Sequence, residues 1–254
     1  MPLMAEWSPK RITKCLRNPP LAAMTPGMDA FGHIETWIFD LDNTLYPPRA
    51  NLFAQIDARM GAFIMRLIGC DAVEARRVQK RFFHDHGTTL RGLMDGHGVA
   101  PAEFLSFVHD IDMGVLEADR RMADAFAKLP GRKLVFTNAD TAYAEKVLDR
   151  LGLGSVFEAV YDIHAMDYRP KPDPNAYRGF CAAHGIRPEA ALFVEDMARN
   201  LVPAKALGMT TVWADNGAES GGYQADHASI DHRIADVGDW LHSITTTTNT
   251  GINA

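Results

Sequence analysis

Four short apolar runs, with helical patterns between them, constrain the fold of this 254-residue chain more than any other feature. The runs have the length and composition of buried strands and cover residues 37–39, 133–136, 190–194 and 209–213. Helical patterns bounded by capping residues or glycine cover residues 143–151, 173–183 and 200–207. This alternation predicts an α/β fold in which a doubly wound parallel sheet is covered by helices on both faces.

The interval between the first two predicted strands is too long for one connecting helix. About 95 residues separate Asp42 from Thr137, whereas a strand–helix–strand unit needs roughly 30. Apolar residues recur at helical spacing through this interval, and Asp71 with Glu74 has the spacing of a helix capping box. We therefore predict that residues 49–117 form an inserted α-helical cap. Residues 34–48 and 118–243 would then form the α/β core.

The two ends of the chain carry no comparable pattern. We expect residues 1–33 to be an N-terminal extension outside the core and residues 244–254 to be a disordered tail. No run approaches 18 apolar residues, which argues against a membrane partner. A net charge of −6 argues against a nucleic-acid partner. Cys15, Cys70 and Cys181 show no metal-ligand spacing and are typical of reduced thiols in a cytoplasmic protein.

Polar side chains follow three of the predicted strands at the point where each strand ends. In chain order they are Asp40 and Asp42, Thr137 and Asn138, and Glu195 and Asp196. In doubly wound sheets, ligands bind outside the carboxyl ends of the strands. Lys171, which lies between two prolines ahead of a predicted helix, is expected to reach the same crevice. The sequence thus predicts that acids, a hydroxyl group and an ammonium group converge on one point.

This set of groups suits a phosphate ester. Clustered carboxylates repel each other, and a hard cation such as Mg²⁺ removes that conflict by taking oxygen ligands from them. The Lys171 ammonium and the Thr137 hydroxyl can then bind the remaining phosphoryl oxygens. A covalent aspartyl-phosphate intermediate divides a very slow hydrolysis into two easier steps. A second carboxylate can protonate the leaving oxygen and later activate water.

Each of these residues also has an ordinary structural interpretation when taken alone. Asp40 and Asp42 could cap a turn, Lys171 could be a solvated surface lysine, and Asp196 could cap the next helix. Their joint order along the chain, with each group at a strand end or before a helix, favours the catalytic interpretation.

At this point the chain resembles the haloacid dehalogenase-like hydrolases. The resemblance covers roughly residues 35–215 and rests on FDLDNTL at 39–45, FTN at 136–138, KP at 171–172 and FVED at 193–196. It implies that Asp40 is the nucleophile and Asp42 the general acid and base. It implies that Thr137, Asn138 and Lys171 hold the phosphoryl group. The metal would be held by Asp40, by Asp42 through its backbone carbonyl, by Asp196, and by Glu195 directly or through water.

Within that superfamily the chain is most similar to the pyrimidine 5'-nucleotidases. The shared features are DNTLYP at 42–47, TNA at 137–139 and HGTTLRGL at 86–93 in the predicted cap. The resemblance implies a nucleoside monophosphate substrate such as UMP or CMP. His86 and Arg91 are then candidates to face the substrate, and an ion pair within the cap is the alternative for Arg91.

Other chemistries share parts of this pattern. Hydrolytic dehalogenation needs no leaving-group acid, so Asp42 argues against it. A sugar-phosphate mutase would keep all four motifs, as would a phosphatase for another small ester such as phosphoglycolate. A phosphoacceptor receiver domain would place its acids in a different order and lacks a long helical insertion. A catalytically silent phosphate-binding module would not need every catalytic side chain. The sequence leaves the oligomeric state open.

Overall fold

Parallel strands form the central sheet in the computed structural model of the protein, which describes residues 27–218 and 221–246. The strands are β1 (Thr36–Phe39), β2 (Arg132–Phe136), β3 (Ala159–Tyr161), β4 (Ala191–Glu195), β5 (Thr210–Ala214) and β6 (His232–Ile234). Their order across the sheet is β3-β2-β1-β4-β5-β6, and each neighbouring pair runs parallel. All four residues of β1 are buried, as a central strand with both faces covered requires. The predicted α/β fold is confirmed.

Helices connect the strands and cover both faces of the sheet. They are α1 (Leu52–Ile68), α2 (Ala72–His86), α3 (Thr89–His97), α4 (Pro101–Val108), α5 (Arg120–Lys128), α6 (Thr141–Arg150), α7 (Pro174–His184), α8 (Leu201–Ala206) and α9 (Val237–Thr246). Two of them begin as the sequence predicts, with a capping carboxylate. Asp71 accepts a hydrogen bond from the backbone nitrogen of Glu74, and Asp173 caps α7 ahead of Pro174.

The four helices α1–α4, which we call the cap, lie between β1 and β2 in the chain. Helix α1 packs against α2 and α4, and α2 packs against α3. Helix α3 lies close to α2 at Gly92, where a Cβ atom would lie 2.3 Å from the Phe82 ring. These helices fall inside the segment 49–117, and the exact domain boundaries stay a prediction.

Part of each predicted terminal segment belongs to the core. Phe31 precedes β1 and is 1% exposed, and its ring lies 5.9 Å from that of Trp37 and 5.8 Å from that of Trp240. Helix α9 continues to Thr246, and Ile244 within the predicted tail is 1% exposed. The prediction of a disordered tail is therefore wrong for residues 244–246, because they continue helix α9 and the side chain of Ile244 is buried. Residues 1–26, which include Cys15, and residues 247–254 lie outside the described residues.

The order of the strands places a crevice at the end of β1. Within the sheet, β2 lies next to β1 on one side and β4 lies next to β1 on the other. Phe39 pairs in register with Val135 and Val194, so β1, β2 and β4 end at the same edge. In doubly wound sheets a ligand site forms at such a reversal of strand order.

Within the described residues, no helix combines the length and the apolar character needed to cross a membrane.

Candidate active site

The side chains predicted at the strand ends line one cavity between the sheet and the cap. They are Asp40, Asp42, Thr137, Asn138, Lys171, Glu195 and Asp196. Asp40 and Asp42 follow β1, and Thr137 and Asn138 follow β2. Glu195 is the last residue of β4, Asp196 follows it, and Lys171 lies in the loop before α7. The topology therefore brings together residues that are up to about 155 positions apart in the chain.

Lys171 is the cation at the centre of this group. It is 1% exposed, and its Nζ donates hydrogen bonds of 2.7 Å to Asp40 Oδ1, to Glu195 Oε2 and to the carbonyl oxygen of Phe136. Burial alone would lower the pKa of Lys171, but the adjacent carboxylates of Asp40 and Glu195 raise it above its ordinary value. The ammonium group therefore stays charged.

Asn138 holds the main chain of Lys171. Its Oδ1 accepts a hydrogen bond of 2.8 Å from the Lys171 backbone nitrogen, and its Nδ2 donates one of 3.3 Å to the Lys171 carbonyl oxygen. Both polar atoms of the amide are thus engaged. This arrangement holds the main chain of Lys171 in place, and the contact of Asn138 with phosphate stays a prediction.

Asp40 is oriented through both of its carboxylate oxygens. Oδ1 accepts from Lys171, and Oδ2 accepts a hydrogen bond of 2.9 Å from Thr44 Oγ1. Burial and the charge of Glu195 raise the pKa of Asp40 to about 6, against the opposing effect of Lys171. Thr44 Oγ1 also accepts from the backbone nitrogen of Asp196 at 3.2 Å, which joins the end of β1 to the loop after β4.

Three buried carboxylates could hold a metal ion. One oxygen each from Asp40, Glu195 and Asp196 lies within 4.8 Å of the others. With Lys171 the group carries a formal charge of −2, which a divalent cation would neutralise. Burial, followed by the charges of Glu195 and Asp40, raises the pKa of Asp196 well above its ordinary value. A hard cation with oxygen ligands would relieve this repulsion.

A fourth oxygen donor supports the fit to a metal such as Mg²⁺. Asn200, which lines the same cavity, has a buried Oδ1 without a hydrogen-bond partner among the residues that the structure describes. Glu195, in contrast, has both oxygens engaged, since Oε2 accepts from Lys171 and Oε1 accepts from the backbone nitrogen of Met197 at 3.2 Å. The unused oxygen of Asn200 therefore complements the carboxylates of Asp40 and Asp196.

Asp42 has a different environment, because its hydrogen bonds fall on one oxygen. The hydroxyls of Tyr46 and Tyr143 both donate to Oδ1, at 2.5 and 2.7 Å. Burial raises the pKa of Asp42, against the hydrogen bond from Tyr46, and the charge of Asp40 raises it further. Oδ2 receives no hydrogen bond from the described part of the chain. It is the oxygen able to carry a proton.

Thr137 offers a hydroxyl donor at the end of β2. It is 1% exposed, and its Oγ1 accepts a hydrogen bond of 3.0 Å from the backbone nitrogen of Ala139. Because the oxygen is already an acceptor, the hydroxyl proton is available to an acceptor inside the cavity.

The cap contributes a mainly apolar wall to the cavity. Its lining includes Phe53, Ile56, Met60, Phe83, Leu90 and Phe104. The two cap residues predicted to face the substrate, His86 and Arg91, are not part of this wall. Both contact Asp95 Oδ2, His86 through Nδ1 at 3.2 Å and Arg91 through Nε at 3.0 Å. For Arg91 the structure shows the alternative, an ion pair within the cap, and His86 contacts the same carboxylate instead of the cavity.

Several residues at the site were missed by sequence reasoning. Tyr46 and Tyr143 bind Asp42. His109 lines the cavity, stacks on Tyr143 with ring centroids 4.2 Å apart, and contacts Asp140 Oδ2 through Nδ1 at 2.7 Å. Arg199 also lines the cavity. Tyr46 stands four residues after Asp42 in the quoted motif, which was the one available signal for its role.

Comparisons with known proteins agree with this geometry. The protein is similar to Phosphate metabolism protein 8 of Saccharomyces cerevisiae, with 23% identity over 191 residues, covering 69% of this chain and 60% of the relative. It is also similar to Phosphoglycolate phosphatase 1 of Pseudomonas aeruginosa, with 27% identity over 188 residues, covering 68% of this chain and 66% of the relative. The chain thus spans less than two thirds of the length of each of these relatives.

Solved structures share the fold at low sequence identity. L-2-haloacid dehalogenase from Xanthobacter autotrophicus gives a TM-score of 0.52 at 16% identity, covering 85% of this chain and all of that chain. A HAD phosphatase from Thermococcus onnurineus gives 0.53 at 18% identity, covering 80% and 94% of the two chains. The haloacid dehalogenase-like hydrolase family matches residues 34–208, more than half of the sequence. The protein therefore belongs to the haloacid dehalogenase-like hydrolase family.

Proposed function

We propose that the protein is a phosphomonoester hydrolase that uses Asp40 as its nucleophile. The observation that carries this proposal is the state of Asp42, whose raised pKa and free Oδ2 suit a proton donor two residues from the nucleophile. An alkoxide leaving group needs such a proton, whereas a halide does not. This difference favours a phosphate ester over a haloacid as the substrate.

The residues supply each part of a two-step hydrolysis. The Asp40 carboxylate attacks phosphorus, the bond from phosphorus to the ester oxygen breaks, and Asp42 gives its proton to that oxygen. Asp42 then takes a proton from water as the water attacks the aspartyl phosphate, which releases phosphate and restores Asp40. Lys171 and Thr137 bind the phosphoryl oxygens throughout.

We expect Mg²⁺ to be the cofactor. Its ligands would be the carboxylates of Asp40 and Asp196, the backbone carbonyl of Asp42 and the side-chain oxygen of Asn200. Bound there, it would neutralise charge on the phosphoryl group and the carboxylates. Glu195 then acts mainly as the partner of Lys171, since both of its oxygens are engaged.

Within this reaction we propose a pyrimidine 5'-nucleotidase that acts on UMP and CMP. The cap run at 86–93 supports this choice, and so does the apolar cap wall, which suits a base and a sugar better than open solvent. A phosphatase for a phosphoglycolate-like ester is the second candidate, on the basis of the similarity to Phosphoglycolate phosphatase 1.

A panel of substrates tests both levels of the proposal. Phosphate release is measured with Mg²⁺ for UMP, CMP, AMP, phosphoglycolate and p-nitrophenyl phosphate, and chloride release is measured for chloropropionate. We expect kcat/KM for UMP and CMP to exceed the other values by about tenfold or more, a difference of about 1.4 kcal/mol. Equal values across the esters would remove the nucleotidase assignment alone. Chloride release without phosphate release would remove the phosphatase assignment.

We also propose a cytoplasmic location, on the basis of the cysteine pattern. Cys70 and Cys181 are both free thiols. Fluorescence of a tagged chain in its native cell tests this, and a signal confined to a secretory compartment would contradict it.

A further inference from the structure

Arg199 is a buried cation at the site that the proposed reaction does not use. It lies three residues after Asp196, in the short 3-10 helix Ala198–Asn200, and it is 7% exposed. Its side chain lines the same cavity as Asp40 and Lys171. Position alone therefore places it within reach of a bound substrate.

Most hydrogen-bond donors of Arg199 have no partner among the residues that the structure describes. Nη2 donates a long hydrogen bond of 3.3 Å to the carbonyl oxygen of Gly87, and this is its single hydrogen bond to the described residues. Nε is buried and has no partner in the described part of the chain. A guanidinium group carries five N–H donors, and buried donors are nearly always paired in native proteins. The unused donors of Arg199 thus indicate an acceptor that residues 27–218 and 221–246 do not provide.

Aromatic rings fix the position of the guanidinium group. Its central carbon lies 4.4 Å from the centre of the Phe83 ring and 5.7 Å from that of Tyr223. His84 Nδ1 also lies 2.8 Å from the Tyr223 hydroxyl, so this contact joins α2 of the cap to the core. Ring contacts of this kind stabilise the cation without using the N–H groups in its plane.

We propose that Arg199 is a specificity-determining residue whose free N–H groups bind a carbonyl oxygen of the base in a nucleoside monophosphate. The proposal rests on the function proposed above and names the contact that selects its substrate. Uracil and cytosine both carry a ring carbonyl, so one donor group can serve both bases.

The surroundings of Arg199 favour a base over a small acid. Phe83 lies beside it, and the cap wall of the same cavity includes Leu90 and Phe104, so that apolar surface is available to pack against a flat ring. A carboxylate of a small acid offers the same kind of oxygen acceptor but would leave the apolar wall uncovered. The experiment therefore compares a substrate that offers a base carbonyl oxygen with one that offers a carboxylate oxygen.

Matched substrate pairs isolate the contact. Ribose 5-phosphate is UMP without its base, and 2-hydroxyethyl phosphate is phosphoglycolate with its carboxylate replaced by a hydroxymethyl group. We expect Arg199→Met to lower kcat/KM for UMP by about 10- to 100-fold, mainly through KM, because one or two hydrogen bonds to a charged donor are lost. The value for ribose 5-phosphate should change less than about threefold, which also shows that the variant is folded.

Two further variants serve as controls. Arg199→Lys keeps a cation but loses the planar fork of donors, so it should recover only part of the activity on UMP. His84→Ala removes the hydrogen bond to Tyr223 in the same contact between cap and core, and it should affect UMP and ribose 5-phosphate alike.

Each outcome decides the proposal. A selective loss on UMP supports it, and an equal loss on UMP and ribose 5-phosphate overturns it while the proposed function stands. A selective loss on phosphoglycolate, with UMP unaffected, overturns the assignment to a base and gives Arg199 a carboxylate instead. If the wild-type protein releases phosphate from none of the four esters, the proposed function fails and this inference fails with it.

Discussion

At the scale of single residues, we propose different tasks for the carboxylates of Asp40 and Asp42 because their environments differ. Asp40 has hydrogen bonds on both oxygens, from Lys171 and Thr44, which fit an oriented anion. Asp42 receives both of its hydrogen bonds on Oδ1, from two tyrosines. The free oxygen of Asp42 can exchange a proton while the other stays fixed. When two carboxylates lie in different surroundings of this kind, one is suited to act as the nucleophile and the other as the proton donor.

Tyr143→Phe tests the role of the tyrosines. The hydrogen bond from Tyr143 lowers the pKa of Asp42, so its removal should raise that pKa further. We expect kcat to fall by about tenfold, and the acidic limb of the pH–kcat profile, where Asp42 must act as a base, to move to higher pH. Tyr161→Phe is the matched control, since the Tyr161 hydroxyl donates to the Ala165 carbonyl oxygen instead. An unchanged acidic limb in the Tyr143 variant would contradict the assignment.

The residues at the strand ends could be predicted from the sequence, and those contributed by helices could not. Asp40 and Thr137 follow apolar runs, and the topology of an α/β sheet brings such positions together. Tyr143 lies on a helix, and no spacing in the sequence relates it to the cavity. Arg199 lies three residues after Asp196, but the sequence does not show that its side chain lines the cavity. Arg91 was a candidate to face the substrate, with an ion pair within the cap as the alternative, and the structure shows that ion pair with Asp95, four residues later.

At the scale of elements, the cap run that resembles the nucleotidases has a packing role. Its glycine, Gly92, allows α3 to lie against the Phe82 ring of α2, with no room for a side chain. The hydroxyl of Thr88 caps the same helix by accepting a hydrogen bond from the backbone nitrogen of Arg91. The run therefore sets how α3 packs in the cap, and Arg91 within it forms an ion pair with Asp95.

Gly92→Ala should destabilise the protein, because its Cβ would lie 2.3 Å from the Phe82 ring. We expect the free energy of unfolding to fall by about 1–3 kcal/mol in urea denaturation. Gly96→Ala is the control on the same helix, since its Cβ would lie 3.8 Å from that ring. That change should be neutral or should stabilise by up to about 1 kcal/mol through helix propensity. Equal effects of the two substitutions would contradict the packing account.

The elements missed from the sequence are the shortest strands and two helices of the core. Strands β3 and β6 have three residues each and are only partly buried, so they show no clear apolar run. Helices α5 and α9 pack against each other, and their apolar residues were not recognised as a pair. The strands β1, β2, β4 and β5 were predicted because each is a nearly continuous apolar run, as buried parallel strands are.

At the scale of the whole molecule, the negative charge of the protein is partly concentrated at its site. The net charge is −6, and Asp40, Glu195 and Asp196 bring three carboxylates to one point with Lys171. A divalent cation is expected to make this point compatible with an anionic substrate. Net charge argued against a nucleic-acid partner but gave no information about this local arrangement of carboxylates.

The stability gained from Mg²⁺ should depend on pH. Because the pKa of Asp40 is raised to about 6, the metal-free fold favours its protonated form and loses stability as the pH rises through about 6. Mg²⁺ binds the ionised carboxylates, so its stabilising effect grows over the same range. We expect a rise in Tm of about 5–10 °C with saturating Mg²⁺ at about pH 7.5, and a much smaller rise at about pH 5.

Asp196→Asn is the control for this experiment, because it removes one proposed ligand and should reduce the rise in Tm at the higher pH. A rise of the same size at both pH values would contradict the metal assignment, as would an undiminished rise in the variant.

The most direct test of the account is phosphate release by Asp40→Asn. The substitution keeps the size of the side chain but replaces the nucleophilic carboxylate with an amide. We predict that phosphate release from UMP falls by at least about 10³-fold while the Tm stays within a few degrees of the wild-type value. An Asp40→Asn protein that releases phosphate at the wild-type rate would contradict the covalent mechanism and the assignment of the site.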